Sequence, residues 1–456
     1  MRPQEPKNQM NRRRFLRSAA ATGAGLMFAK TILAQTGTGK RPDDINLALL
    51  GAGQQGYVLL NACLKIPGIR FKAVCDIWEA YNLRRATRLL DKVGHTNNAY
   101  ADYKEMLDRE KDLDAVIIAT PDFRHAEHTI ACLKAGLHVY CEKEMSNKLE
   151  DARKMVLAAR ETGKLLQIGH QRRSNPHYIY CYDKLVREAK LLGQIAAVNG
   201  QWNRSIQNPQ GWPKGTEIKP EILAKYGYKS ADHFLNWRWY KGLGGGPIVD
   251  LGSHQIDVYN WFLDALPTSV MASGRTNYYD KATHEWYDTV MAVFEYDTPR
   301  GPVSAYYQTI TTNSSQGYFE TFMGHEGTLL MSERASRCKV YRESWVPETN
   351  WDNWVKKGYL LQKEGNQQPE QKDAVTAAYY TDARDSIKPA EYDLPVQADK
   401  VYHQPHLENF FDAIRGKAKL TCPADIAYET AVAVLKVNEA VEAGKKLEFK
   451  QEEFKI

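Results

Sequence analysis

The 456-residue sequence predicts an α/β fold, in which an N-terminal doubly wound parallel sheet precedes a C-terminal α+β domain with an open, mostly antiparallel sheet. Two observations predict this class. From residue 41 to 170, short apolar runs alternate with helical stretches, as in parallel strands joined by crossover helices. From residue 171 to 456, aromatic residues become more frequent and strands of alternating polarity follow one another, which is typical of antiparallel sheets.

The first predicted strand, Ile45–Leu50, runs directly into the sequence GAGQQG at residues 51–56. Gly51 allows a tight turn, Gly53 lets the backbone approach a pyrophosphate, and Gly56 lets the next helix pack closely on the sheet. The N-terminus of that helix offers free N–H groups and a positive dipole end to phosphates. The spacing predicts a dinucleotide-binding Rossmann domain at residues 41–170. A purely structural glycine turn is the alternative.

An acidic residue ends the second predicted strand. Asp76 follows the apolar run 71–75 and stands twenty residues after Gly56. A carboxylate at this position accepts hydrogen bonds from the ribose hydroxyls of NAD. The sequence therefore predicts NAD as the cofactor in preference to NADP.

The next predicted strands also end in polar or charged residues. The buried run 114–119 ends at Thr120-Pro121, and the strand 137–141 ends at Glu142-Lys143. Helices are predicted at 123–135 and 149–163, and a last strand at 164–169. Ligands of doubly wound sheets bind beyond the carboxyl ends of the strands. We therefore expect a functional role for the Glu142-Lys143 pair, with ordinary strand-end charges as the alternative.

The second half is predicted to contain strands at residues 290–296, 303–308 and 328–331. The stretch 335–400 is polar and contains four prolines, which predicts a loop-rich insertion. Helices at 406–415 and 425–444 are expected to pack back on this second domain. An open antiparallel sheet can present one face to another subunit, so we expect a homo-oligomer.

A glycine-rich loop at residues 244–246 opens a predicted helix that carries Asp250, His254 and Asp257. Their spacing places all three on one face of the helix. A metal site is one interpretation, but no further ligand cluster accompanies these residues, and we expect no metal. A histidine of the core is another interpretation. The density of glycine, acidic and aromatic residues in this block favours a functional site.

The N-terminus reads NRRRFLR at residues 11–17, followed by a small apolar run at 18–28. This pattern predicts a twin-arginine signal peptide at residues 1–35 and a periplasmic protein, with a disordered basic arm as the alternative. The apolar run is too short to span a bilayer, so no stable membrane insertion is expected. Residues 1–35 hold seven Lys or Arg and one acid, which leaves 54 basic and 54 acidic residues elsewhere. Charge therefore gives no reason to expect nucleic acid as a partner.

Several separated motifs together resemble the Gfo/Idh/MocA oxidoreductase family, over about residues 44–450. They are GAGQQG at 51–56, Ala119-Thr120-Pro121 with His125, Glu142-Lys143, Gln171-Arg172 and the block Gly244–His254. The resemblance implies NAD(P)-linked oxidation of a sugar or polyol hydroxyl. Family members commonly read Glu-Lys-Pro, whereas this chain has Glu144 after the lysine. The change removes an inexpensive route to a cis peptide, and a nearby carboxylate would raise the pKa of Lys143.

The resemblance implies catalytic roles for Lys143, Asp250 and His254. His254 would be the general base, because the intrinsic pKa of histidine lies near working pH, and Lys143 would stabilise the developing oxyanion. The predicted cofactor-binding residues are Gly51, Gly53, Gln54, Gln55, Gly56, Asp76, Thr120, Pro121, His125, Glu142, Lys143 and Gln171.

The predicted substrate-binding residues are Arg172, Asn203, Trp237 and Tyr259. Arg204 is a further candidate donor, and Trp202, Trp212, Trp239 and Tyr240 are candidate platforms for sugar rings, with ordinary aromatic packing as the alternative.

These predictions combine into a periplasmic NAD-dependent oxidoreductase that acts on a sugar or glycoside hydroxyl, with C3 oxidation to a 3-keto-glycoside as one form. Because free nicotinamide is scarce outside the cytoplasm, we expect the cofactor to be tightly bound. One alternative is a glycosidase that works by transient oxidation, elimination and re-reduction. Another is a non-catalytic sugar-binding protein that retains the cofactor as a structural element.

Overall fold

Two sheets organise the chain. The computed structural model describes residues 43–362, 386–397 and 399–456, and from Ile45 onward these residues form one compact unit. The predicted signal peptide, residues 1–35, lies outside the described residues. The predicted fold class is confirmed, because a parallel sheet precedes a mostly antiparallel one.

The first sheet contains six strands, all parallel, in the order β3-β2-β1-β4-β5-β6. Its strands are β1 (Ile45–Leu50), β2 (Ile69–Cys75), β3 (Asn98–Tyr100), β4 (Ala115–Ile118), β5 (His138–Cys141) and β6 (Leu166–Ile168). The helices between them are α1 (Gln54–Cys63), α2 (Arg84–Lys92), α3 (Tyr103–Arg109), α4 (Asp122–Lys134) and α5 (Leu149–Thr162).

The second sheet contains ten strands in the order β14-β15-β13-β12-β11-β7-β10-β9-β8-β16. They are β7 (Ile195–Asn203), β8 (Pro267–Arg275), β9 (Thr289–Thr298), β10 (Gly301–Ile310), β11 (Tyr318–Gly324), β12 (Gly327–Met331), β13 (Lys339–Arg342), β14 (Leu361–Gln362), β15 (Ala390–Asp393) and β16 (Leu447–Glu448). Only the pairing of β7 with β10 is parallel.

The second half also contains seven α-helices among the described residues. They are α6 (Pro176–Tyr180), α7 (Pro220–Lys225), α8 (Ala231–Leu235), α9 (Gly246–Leu263), α10 (Glu348–Lys356), α11 (Gln404–Ile414) and α12 (Ala424–Ala443), and a π-helical segment, Cys181–Glu188, follows α6. Helices α9 and α12 pack on one face of the second sheet. On the other face, side chains of β9 such as Met291 and Val293 are exposed, because strand residues alternate between faces.

The stretch 335–400 is not only the loop insertion that the sequence predicts. Its described residues include β13, β14, β15 and helix α10, so the segment extends the second sheet at one edge. The strands have only two to four residues each, and such short strands carry little hydrophobic alternation. Residues 363–385 and 398 lie outside the described residues.

Helix α11 packs on the first sheet rather than on the second, which corrects the sequence-based expectation. Its Leu407, Phe410 and Phe411 share a buried cluster with Leu47 and Leu49 of β1. The alternate residues of β1 face the opposite core, which also receives side chains from the second half. The N-terminal sheet is therefore covered on one face partly by a helix near the C-terminus.

No helix in the described part of the chain combines the length and apolar character that crossing a membrane requires.

Candidate active site

A cleft of about 1310 Å³ lies at the carboxyl ends of the first-sheet strands and is also lined by the second half. Among the predicted site residues, the following line it: Gly51, Gly53, Gln54, Gln55, Asp76, Thr120, Pro121, His125, Glu142, Lys143, Gln171, Trp237, Asp250 and His254. Gly56, Arg172, Asn203 and Tyr259 do not. The cleft therefore joins the predicted cofactor residues to the predicted catalytic residues.

The glycine loop forms a cradle in which each glycine has a different reason to lack a side chain. Gly51 has a positive φ of 92°, and a Cβ there would lie 2.7 Å from the carbonyl carbon of Ala119. A Cβ on Gly56 would lie 1.9 Å from the Gly51 oxygen, so Gly56 permits the close packing of α1. A Cβ on Gly53 would meet no protein atom closer than 3.8 Å. Gly53 therefore leaves open space at the start of α1, where a pyrophosphate fits.

Asp76 closes the turn after β2 and faces the cleft. Its carboxylate accepts hydrogen bonds from the backbone N–H groups of Ala52, at 2.7 Å, and Trp78, at 2.8 Å. Burial raises the pKa of Asp76 to about 6, although these two hydrogen bonds act in the opposite direction. The carboxylate therefore predominates at neutral pH, and its remaining acceptor capacity suits ribose hydroxyls. Together with the glycine cradle, this chemistry fits an NAD cofactor.

Two contacts organise the wall between the glycine loop and β5. The Gln55 amide donates to Glu142 at 3.0 Å, and it lies 3.0 Å from His403 Nε2. The two ring nitrogens of His125 lie 2.7 Å from the carbonyl oxygens of Glu144 and Thr120. Burial lowers the pKa of His125 to about 4. His125 thus connects the loop after β4 to the segment that carries Lys143.

Lys143 and Asp250 form the charged centre of the cleft. The Lys143 Nζ donates to Asp250 Oδ1 at 3.0 Å and also to the Asp250 backbone oxygen. Burial would raise the pKa of Asp250, but the cations Lys143, Arg238 and Arg204 outweigh it and hold that pKa well below its usual range. Asp250 is therefore ionised and orients Lys143 toward the cleft.

His254 lies one helical turn after Asp250 and packs beside Trp202, with ring centroids 5.4 Å apart. Burial, reinforced by Lys143 and Arg172, lowers its pKa well below the usual value for histidine. Its Nδ1 is buried and has no hydrogen-bond partner. The site therefore lowers the pKa of His254 from the intrinsic value on which its predicted role was based. His254 is neutral at pH 7, which is the protonation state in which it can accept a proton.

Arg172 does not reach the cleft, which corrects its predicted substrate contact. It is 1% exposed and pairs with Glu320 and, at 3.5 Å, with Glu333. Its neighbour Gln171 lines the cleft and donates to Glu333 Oε1 at 2.9 Å. Buried charges need partners, and these two carboxylates provide them inside the second sheet.

The predicted substrate contacts of Asn203 and Tyr259 are also wrong. Asn203 is buried and donates to the Ser315 backbone oxygen at 3.0 Å, because strand alternation turns it away from the cleft. The neighbouring residues Trp202 and Arg204, whose side chains point to the opposite side from Asn203, line the cleft. Tyr259 is fully buried, and its hydroxyl donates to the Tyr306 backbone oxygen at 2.9 Å.

Asp257 does not extend the Asp250 and His254 pair into a metal site. Its carboxylate accepts hydrogen bonds from Arg173 Nε and the Thr430 hydroxyl, both at 2.9 Å. Within residues 43–362, 386–397 and 399–456, no group of three or more His, Cys, Asp or Glu side chains could hold a metal ion.

Glu144 differs from the expectation that it adds a negative charge beside Lys143. The Lys143–Glu144 peptide is cis despite the absence of proline. The Glu144 side chain is buried, and burial raises its pKa to about 8. Glu144 is therefore mostly protonated at neutral pH and contributes little charge.

Several residues that sequence reasoning did not assign to the site also line the cleft, among them Arg238, Tyr402 and His403. Arg238 Nε lies 3.3 Å from Asp250 Oδ1, while Tyr402 and His403 reach the cleft from the segment before α11. The position of Arg238, in the aromatic and glycine-rich block before α9, is a usable signal. Tyr402 and His403 carry no local signal, since only the packing of α11 on the first sheet brings them here.

Comparisons with curated proteins give partial matches to several dehydrogenases and reductases. The 4-carboxy-2-hydroxymuconate-6-semialdehyde dehydrogenase of Sphingobium sp. is 31% identical over 37% of this chain and 52% of that protein. The 1,5-anhydro-D-fructose reductase of Ensifer adhaerens is 29% identical over 50% of this chain and 59% of that protein. The inositol 2-dehydrogenase of Rubrobacter xylanophilus is 26% identical over 70% of this chain and 81% of that protein. The chain thus spans little more than half of the first two relatives.

Solved structures share the fold over most of the chain. A levoglucosan dehydrogenase in complex with NADH and levoglucosan has a TM-score of 0.66 and 17% identity, covering 90% of this chain and all of that one. The WlbA dehydrogenase from Bordetella pertussis, in complex with NADH and UDP-GlcNAcA, has a TM-score of 0.60 and 18% identity. The match covers 89% of this chain and 99% of that one.

Two family models match adjoining parts of the sequence. The model of the NAD-binding Rossmann fold of the Gfo/Idh/MocA oxidoreductases matches residues 45–170, and the model of their C-terminal domain matches residues 184–330. Together they span more than half of the chain and correspond to its two sheets. The chain therefore belongs to the Gfo/Idh/MocA oxidoreductase family.

Proposed function

We propose that the protein is an NAD-dependent oxidoreductase that oxidises a hydroxyl-bearing carbon of a sugar or glycoside. One observation carries the proposal: the glycine cradle, Asp76 and the group Lys143, Asp250 and His254 line the same cleft. The names of the curated relatives support this reaction class, since they include sugar and polyol dehydrogenases and reductases.

The residues at the centre of the cleft divide the chemistry among them. When bound, NAD⁺ would supply the hydride acceptor. His254, which is neutral and lines the cleft, accepts the proton of the substrate hydroxyl. Lys143, held by Asp250, donates a hydrogen bond to the same oxygen and stabilises the negative charge that develops on it. The Trp202 and Trp237 rings in the cleft suit the apolar faces of a sugar ring.

Tight cofactor binding is supported by the segment 204–235, which we call the arm. It leaves the second sheet after β7 and contacts the first half beside the cofactor end of the cleft. The Trp78 indole N–H donates to the Thr216 oxygen, and the Arg124 guanidinium donates to the Tyr226 oxygen at 2.6 Å. An arm fixed at both points would need to move before a bound dinucleotide could leave.

A periplasmic location is supported by the twin-arginine pattern at residues 11–17. The twin-arginine route exports folded proteins, so a cofactor could be loaded before transport. In this location a retained NAD must be regenerated by a second substrate or within one catalytic cycle. Replacing Arg12, Arg13 and Arg14 together by Lys should keep the protein in the cytoplasm, as measured by cell fractionation; unchanged periplasmic recovery would contradict this location.

The direct test uses purified, extensively dialysed protein. Mass spectrometry should find nicotinamide cofactor bound, and incubation with glycosides and an artificial electron acceptor should yield products that have lost two hydrogens. Fragmentation of the product would place the ketone, with C3 expected. Cofactor-free protein, or the absence of any oxidised product from a broad glycoside library, would contradict the proposal.

A second candidate is a glycosidase that oxidises its substrate transiently, eliminates the aglycone, adds water and reduces the product again. A cofactor that the arm holds permanently suits both the glycosidase and the dehydrogenase, so the arm does not distinguish between them. Release of free sugar without any external electron acceptor would identify the glycosidase. Oxidised product that forms only with an acceptor would identify the dehydrogenase.

A further inference from the structure

A small side pocket of about 40 Å³ adjoins the cleft next to Asp250. Arg204, Arg238 and Asp250 line both spaces, and Thr311 closes the pocket at the end of β10. No residue of the glycine loop lines the pocket. It therefore belongs to the substrate end of the cleft, away from the cradle for the cofactor phosphates.

The positive charge around this pocket exceeds the negative charge. Lys143, Arg204 and Arg238 all act on the single carboxylate of Asp250. Lys143 donates to that carboxylate at 3.0 Å, and Arg238 Nε lies 3.3 Å from the same oxygen. One carboxylate cannot neutralise three cations, so the site has an excess of positive charge.

Arg204 is the cation with the fewest interactions. Its guanidinium stacks on the Trp202 ring at 5.1 Å, and among the described residues it donates no hydrogen bond to any oxygen. Burial lowers its pKa, which shows that water compensates this charge poorly. A partly buried guanidinium that shares a single carboxylate with two other cations is incompletely compensated, and a planar carboxylate is the ligand that matches its donor geometry.

Other nearby acids supply at most part of the missing negative charge. Asp122 is buried and lines neither space, and burial together with Asp250 raises its pKa to about 7. Glu320 and Glu333 both pair with Arg172, and neither lines the side pocket, although Glu333 borders the main cleft. An anionic ligand would therefore complete the compensation of these cations.

We propose that the side pocket binds a carboxylate group of the substrate, so that the natural substrate is an acidic sugar of the uronic acid type or its glycoside. This inference rests on the proposed function, since it assumes that a sugar occupies the same cleft. The small volume and the two guanidinium groups favour a planar carboxylate over a larger phosphate.

The test compares matched methyl glycosides that differ only at C6, where one has CH2OH and the other a carboxylate, in the gluco, galacto and manno series. Calorimetric titration of the cofactor-loaded full chain should show that the acid of at least one pair binds about tenfold or more tightly. This preference should shrink with added salt. Equal or weaker binding of the acid in every pair overturns the inference, and so does tighter binding of the 6-phosphate than of the carboxylate.

Variants test whether the guanidinium groups cause the preference. Arg204→Met should reduce the acid-to-neutral affinity ratio to near one, and Arg238→Gln should reduce it in the same direction. Arg88→Met, which removes an exposed arginine of α2, is the matched control and should keep the ratio. Circular dichroism must show each variant folded. A ratio that survives both cleft substitutions overturns the inference.

Turnover of the same pairs separates this inference from the proposed reaction. If the acid binds preferentially but neither compound is oxidised, the carboxylate pocket is supported and the proposed reaction fails. If the neutral glycoside is oxidised while the acid binds no better, the reaction is supported and the pocket inference fails.

Discussion

At the scale of single residues, α9 shows how one helix separates chemistry from packing. Asp250 and His254 line the cleft, whereas Asp257 and Tyr259, only a few residues later, bond to the protein interior. The helical spacing predicted the first pair correctly as neighbours in space. It could not distinguish the cleft from the core for the later residues, because polar side chains bonded inside the protein leave the same pattern in the sequence.

Replacing His254 by Gln should lower turnover by a factor of about 10² to 10⁴, because the proton acceptor is lost. The bound cofactor should remain, as measured by mass spectrometry of the purified variant. Tyr259→Phe is the matched control: it should leave kcat and KM nearly unchanged and reduce stability by about 1 kcal/mol through the lost hydrogen bond. Normal turnover of the His254 variant would remove it from the mechanism.

Gly53→Ala should weaken NAD binding strongly without destabilising the protein. The new methyl group has no protein atom within 3.8 Å and would instead occupy the space left for the pyrophosphate. Gly56→Ala should instead destabilise the protein. Its Cβ would clash with the Gly51 oxygen, so the thermal unfolding midpoint should fall. Differential scanning fluorimetry with and without NADH measures both effects. Unchanged NAD affinity in the Gly53 variant would contradict the cradle.

NAD affinity should fall as the pH is lowered through about 6, where Asp76 becomes protonated. The raised pKa means that the carboxylate form, which accepts hydrogen bonds from ribose hydroxyls, is present above this pH and lost below it. Fluorescence titration with NADH between about pH 5 and pH 8 tests this. Asp76→Asn should bind more weakly and show a flatter profile, whereas the exposed Asp91→Asn should behave like the natural protein.

At the scale of elements, the first sheet was predictable because its signals are local. Five of its six strands are mostly apolar runs, and glycines or polar residues mark their ends, as between Leu50 and Gly51. The three-residue strand β3 was not predicted, because it is too short to show such a run. The short strands β13, β14 and β15 were not predicted, since strands of two to four residues at a sheet edge depend on their neighbours for stability. The packing of α11 was wrongly predicted, because an amphipathic helix does not encode which apolar surface it covers.

The arm at residues 204–235 should control how fast the cofactor dissociates. Trp78→Phe removes the indole donor to the Thr216 oxygen but keeps an aromatic ring, so NADH should leave faster by a factor of about 2 to 10. Stopped-flow displacement of NADH measures the rate. Trp345→Phe is the control, because it removes an indole bond to the His325 oxygen elsewhere on the surface and should leave the rate unchanged. Equal rates in both variants would exclude the arm as the barrier.

At the scale of the whole molecule, the second sheet leaves an apolar strip on its outer face. Met271 lies opposite Val293 on neighbouring strands, and Met291 is two residues before Val293 on the same strand. These three side chains are 54%, 36% and 42% exposed, respectively. Adjacent exposed apolar residues are typical of an interface, which supports the expected homo-oligomer.

Met291→Lys should therefore reduce the molar mass measured by light scattering after size-exclusion chromatography. A charge within the strip would be buried without a partner on association. Val93→Lys, which changes an exposed apolar residue at the end of α2, should leave the mass unchanged. If both variants have the mass of the natural protein, its association, if any, uses another surface.

Because α11 covers β1, the nucleotide-binding half is not self-contained in sequence and could not be moved into another protein by itself. A fragment cut at the residue 170 boundary would bare the hollow that Leu407, Phe410 and Phe411 now occupy, and would also lose Tyr402 and His403 from the cleft wall. A chimaera that keeps residues 399–414 attached by a short artificial connector should precipitate less than the plain fragment.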